Sequence, residues 1–97
     1  MLIRIVKMSF KEDKVDEFLN IFKLSKNKIA SVDGIKDLQL VRDKNNNSVF
    51  FTISKWRDES YLEKYRNSQL FKDTWAKTKV LFNEKPEAWS TLLIYKS

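Results

Sequence analysis

Ninety-seven residues are enough for one domain, 1–97, and too few for two, and the net charge of +6 is spread over interleaved acids and bases, as in Lys11-Glu12-Asp13-Lys14. That pattern is a solvated surface, with no single-sign block for nucleic acid or a membrane face. The absence of cysteine excludes disulfides and thiolate metal sites and suits a cytoplasmic protein, while the absence of histidine excludes histidine-ligated haem or zinc and any histidine base.

The first segment, Leu2 to Phe10, is dense in Ile, Val, Leu and Met and reads as a strand. No signal peptide is expected there, since Met1 to Lys7 lacks both the apolar core and the small-residue cleavage site. Lys11 to Val32 reads as a helix, with Val15, Phe18, Leu19, Phe22 and Ile29 near a 3.6-residue stripe. Asp13 is the expected N-cap, and Gly34, the only glycine, is the expected left-handed C-cap. A lone glycine also rules out a dinucleotide-binding loop.

Ile35 to Arg42 is a second strand, Asp43 to Asn47 a turn suited to positive φ and Asx bonding, and Val49 to Trp56 a third strand completing a hairpin. Asp58 starts a second helical region through Tyr61, Leu62 and Tyr65. Asn67-Ser68 interrupts and recaps it, and Phe71, Trp75, Thr78 and Phe82 continue the stripe. Asn83 to Pro86 ends this region, and Trp89 to Lys96 reads as the fourth strand. No run approaches the ~20 apolar residues of a membrane span.

The order βαββαβ predicts a ferredoxin-like α+β fold, an antiparallel four-stranded sheet with two helices on one face. A sheet with one wet face alternates apolar and polar residues, yet here both faces are apolar: Ile3 and Ile5 oppose Leu2, Val6 and Met8, and Phe50 and Trp56 oppose Phe51 and Ile53. Helices cover only one face, so a second copy of the sheet is the expected cover and a homodimer the expected state. RNA-recognition domains share this order, but the third strand lacks their Gly and the first lacks a central aromatic, so no nucleic-acid partner is expected.

The stretch Val49-Phe50-Phe51-Thr52-Ile53-Ser54-Lys55-Trp56, then Tyr61, then Asn67-Ser68-Gln69-Leu70-Phe71-Lys72-Asp73-Thr74-Trp75 resembles the antibiotic biosynthesis monooxygenase family. The resemblance spans nearly the whole chain and implies a dimeric α/β barrel. It also implies cofactor-independent oxygenation of a small aromatic compound of quinol, phenol or anthrone type. Many members carry histidine about where Tyr65 stands. The haem-degrading branch has an axial histidine where this chain has Trp75, whose indole nitrogen only donates, so haem degradation is not expected.

Within that resemblance, Tyr65 and Trp75 are the candidate catalytic residues, as donors to a phenolate-like oxygen. Trp56, Phe71, Phe51 and Asn67 are the candidate substrate-binding residues, and no cofactor or metal is expected. The plainer alternative makes Phe71 and Trp75 core, Trp56 a cross-strand packing residue, and Asn67 with Ser68 a helix cap. Arg42, Arg57 and Arg66 suit an acidic substrate group but read more simply as surface charges. The competing functional reading is a non-catalytic homodimeric small-molecule-binding or stress-response protein on the same fold.

Overall fold

The computed structural model describes residues 1–97. Strand β1 (Leu2–Ser9) leads through a 3-10 turn (Glu12–Lys14) into helix α1 (Val15–Ala30). The hairpin β2 (Ile35–Arg42) and β3 (Val49–Trp56) follows, then α2 (Glu59–Arg66), α3 (Gln69–Lys79) and β4 (Glu87–Leu92). The strands lie in the order β2-β3-β1-β4, every neighbour antiparallel. This is the ferredoxin-like arrangement, with the second helical region divided into α2 and α3.

Helix boundaries follow cap chemistry. Asp58 accepts from the Ser60 backbone N–H and starts α2, and Ser68 accepts from the Phe71 N–H and starts α3. Asp13 does not cap α1. It lies inside the 3-10 turn, and the helix begins after Lys14 with no side-chain cap. Gly34 is not the C-cap either, because α1 ends at Ala30 with Ser31 as its cap. Gly34 does hold a φ of 86°, and a Cβ there would run into the Tyr61 side chain, so the position needs glycine for both conformation and close approach. The Asp43–Asn47 turn closes with the Ser48 N–H donating to the Asn46 side chain and contains no left-handed residue.

The fourth strand is displaced from Trp89–Lys96 to Glu87–Leu92. Register explains the shift. Leu92 pairs with Leu2, where β1 begins; Leu93 still donates its N–H to the Met1 carbonyl, and beyond it no strand remains to pair with. Phe82 leaves the helical stripe at the end of α3 and bridges Phe10.

Only 11 of 97 residues are buried, and eight of them form two hydrophobic clusters instead of one core. Met8, Phe10, Phe18, Phe50 and Leu81 make the first. Leu2, Trp56 and Leu62 make the second. All helices lie over the face that carries Leu2, Met8, Phe50 and Trp56. The opposite face presents Ile3, Ile5, Phe51, Ile53 and Trp89, and no element of the chain covers it.

Candidate functional site

Between the two clusters the helices stand off the sheet and leave a cavity of about 330 Å³. That is within the range of small-molecule sites. Fourteen of its 22 lining residues are hydrophobic. Val6, Met8, Trp56 and Ala88 belong to its sheet side, Phe18, Ile21 and Phe22 to α1, and Tyr65, Phe71 and Trp75 to α2 and α3. The gap exists because inward positions carry small hydroxyl residues: Ser25, Thr52, Ser54, Thr74 and Thr78 stand where helical and strand periodicity would place large apolar groups. Several of these hydroxyls are locally satisfied. Ser25 donates to the Ile21 carbonyl at 2.9 Å, Thr78 to the Thr74 carbonyl at 2.8 Å, and Ser54 accepts from Trp56 Nε1 at 2.9 Å.

An aromatic wall runs through the site. Trp56 stacks on Tyr65 with ring centroids 5.4 Å apart, Tyr65 meets Phe71 edge-on at 5.3 Å, and Phe71 stacks on Trp75 at 5.8 Å and 11°. Ser68 holds the end of α2 by donating to the Tyr65 carbonyl, and this fixes the ring's approach to the cavity. Neither the Tyr65 hydroxyl nor Trp75 Nε1 takes part in a hydrogen bond within the chain, and neither is a sealed, unsatisfied group. Burial pushes the Tyr65 phenol up to about 12, so it is protonated at neutral pH and acts as a donor.

Four of the expected site residues, Tyr65, Trp75, Trp56 and Phe71, meet in this cavity. Trp56 forms its floor and is almost completely buried, with its indole N–H already donated to Ser54. Phe51 does not reach the cavity. It lies an odd number of residues from Trp56 and so points from the opposite, uncovered face. Asn67 is also absent from the lining; its side chain turns back to donate to the Glu63 carbonyl, as the cap reading has it. Arg42 lies over the Phe50 ring and Arg57 over the Tyr61 ring, both outside the cavity, whereas Arg66 lines it.

Arg4, in the middle of β1, is a lining residue that sequence reasoning passed over. Its signal was available, since it shares the inward parity of Leu2 and Val6, where a cation is out of place. It is half-buried and donates to the Ser90 hydroxyl at 2.9 Å. Loss of solvent lowers its pKa from the ordinary arginine value, the neighbouring Arg66 lowers it further, and Glu63 opposes them. Arg4 and Arg66 are the only charged residues in the lining, which holds no carboxylate and no lysine.

The family model described as antibiotic biosynthesis monooxygenase matches residues 1–77, which carry every one of these lining side chains except Thr78, Pro86 and Ala88. The chain belongs to this family. No curated protein matches it in sequence. Among solved structures, a conserved protein from Methanosarcina mazei Go1 is 24% identical, with a TM-score of 0.88 over 94% of this chain and 91% of that one. An antibiotic biosynthesis monooxygenase is 16% identical, with a TM-score of 0.91 over 98% and 100% of the two chains. A mutant of SnoaB, a cofactor-independent oxygenase from Streptomyces nogalater, is 14% identical, with a TM-score of 0.87 over 98% and 94%. At these identities the likeness is one of fold. The antibiotic biosynthesis monooxygenase fold therefore supplies the scaffold. No helix is long and apolar enough to cross a membrane.

Proposed function

We propose that this family member is a cofactor-independent monooxygenase-like enzyme acting on a small aromatic compound of quinol, phenol or anthrone type. The observation that carries the proposal is the aromatic-walled cavity whose lining includes two unpartnered donors, Tyr65 and Trp75. The description of SnoaB as a cofactor-independent oxygenase supports it. In such a reaction the substrate loses an acidic proton and its anion passes an electron to dioxygen. The resulting radicals join and take up a proton as a hydroperoxide, and loss of water leaves a carbonyl. For an anthrone-type substrate the balance is a methylene group and dioxygen on one side, a carbonyl group and water on the other.

The protein's part is to bind the flat body against Trp56, Phe71 and Trp75, exclude water, and donate hydrogen bonds to the anionic oxygen. Tyr65, being protonated, serves as a donor and not as the base. No lining side chain takes the substrate's proton at neutral pH, so that proton passes to solvent. The same observation favours the second reading, a non-catalytic homodimeric small-molecule-binding or stress-response protein. The dimer belongs to both readings. A second copy would cover Ile3, Ile5, Phe51, Ile53 and Trp89, so Phe51 serves the sheet contact and not the substrate. The cysteine-free composition suits a cytoplasmic setting.

The test is oxygen uptake by metal-free protein with 1,8-dihydroxyanthrone and a panel of quinols, beside Tyr65→Phe and Trp75→Phe. Uptake above the spontaneous rate with carbonyl product, reduced about tenfold or more in either folded variant, is expected; losing one donor to a developing anion costs that much or more. No acceleration by the native protein, with bound compound recovered unchanged, would leave the binding-protein reading.

A further inference from the structure

Arg4 has no carboxylate partner. The single salt bridge in the chain joins Arg66 to Glu63 at 3.2 Å, and the one side-chain hydrogen bond of Arg4 goes to the neutral Ser90 hydroxyl. A guanidinium on the wall of an apolar cavity is costly unless an anion meets it, and here a second guanidinium stands in the same lining. Glu63, bridged to Arg66 and acting on Arg4, offsets one of the two charges, so the cluster keeps a net positive charge that favours an anion. We propose that Arg4 and Arg66 form the anion-binding end of the cavity, so that its ligand is a flat aromatic compound carrying an ionised oxygen or carboxylate. The inference rests on the cavity described above as the ligand site and adds the charge of the molecule it selects.

The chemistry of the lining agrees. With no carboxylate, lysine or histidine in the lining, and with Tyr65 held as a donor, the site has no means of creating the anion by general base catalysis. It selects a compound already ionised in water, or one whose acidity the two guanidinium groups raise on binding. Lowered solvation of Arg4 marks the same place, since an incoming anion would restore what burial removes.

The probes are naphthalene-2-carboxylate and its neutral counterpart naphthalene-2-carboxamide, titrated calorimetrically into the native protein, Arg4→Met, Arg4→Lys and Arg66→Met. The native protein should bind the carboxylate about tenfold or more tighter than the amide. Arg4→Met and Arg66→Met should each lower carboxylate affinity by about tenfold and leave amide affinity within about twofold, with Arg4→Lys intermediate. The Arg66 side chain is 45% exposed, more open than the half-buried Arg4, so Arg66→Met keeps the test intact if Arg4→Met fails to fold. Equal affinity for the two probes, binding of neither, or a carboxylate preference that survives in the folded variants would overturn the inference. Anthrone oxidation without anion preference would remove this site and leave the oxygenase; anion preference without oxidation would do the reverse.

Discussion

Alkaline titration isolates Tyr65. An unfolded tyrosine ionises near 10, and burial raises the Tyr65 phenol to about 12 in the folded protein. Below about pH 10 both states hold the proton, and the contribution to stability is complete. As pH rises from there the unfolded state ionises first, so stability falls, and the loss is complete once the folded pKa is passed. The two-unit difference corresponds to about 2–3 kcal/mol in full and to about 1.4 kcal/mol at about pH 11. The assay is urea denaturation by far-UV circular dichroism at several pH values from about 9 to 12, on the native protein and Tyr65→Phe. The two proteins differ only at this hydroxyl, so the difference between them isolates Tyr65. At neutral pH Tyr65→Phe should cost less than about 1 kcal/mol, because the hydroxyl has no partner within the chain. A pH-independent difference between the two proteins would refute the burial of Tyr65, and with it the argument that this residue stays a donor.

Gly34→Ala should destabilise by about 2–4 kcal/mol, combining a left-handed φ with displacement of the Tyr61 ring. Repeating the substitution in a Tyr61→Gly background, which removes the clashing Cβ as well as the ring, should recover the steric part and leave the conformational part, as chemical denaturation would show. Phe51→Lys places a charge on the uncovered sheet face while leaving the helix-facing clusters untouched. The native chain should sediment as the proposed dimer and the variant as a monomer with the far-UV spectrum retained; a native monomer, or a variant that stays dimeric, would refute a contact through this face.

The order of elements is legible in the sequence because it is written in local chemistry. Asp58 and Ser68 cap their helices with their own side chains, so the break between α2 and α3 is visible before any fold is known. The fourth strand is not legible in the same way. Its end at Leu92 is set by where β1 begins, which is a property of pairing and not of Leu93, Ile94 or Tyr95. In the site, steps of four and three along the helices find Tyr65, Phe71 and Trp75, and Trp56 follows from its place closing β3. Phe51 and Arg4 were both decided by strand parity. A step of five from Phe51 to Trp56 turns Phe51 to the other face, while steps of two from Arg4 to Leu2 and to Val6 turn Arg4 inward. Asn67 is a residue with two uses, and a nearby carbonyl one turn back took its side chain.

The five small hydroxyl residues in the lining bear on what the cavity is for. Larger apolar side chains at Ser25, Thr52 or Thr74 would extend the two clusters toward one another and give a 97-residue chain the continuous core it lacks. Their absence leaves stability unused and a space lined by aromatic rings, two donors and two guanidinium groups. Core packing alone would not retain a half-buried arginine that forms no ion pair, because an aliphatic residue at position 4 would pack better without the desolvation penalty. A cavity that receives an aromatic anion accounts for both features at once: the small residues make room for the ring system, and the cations meet its charge.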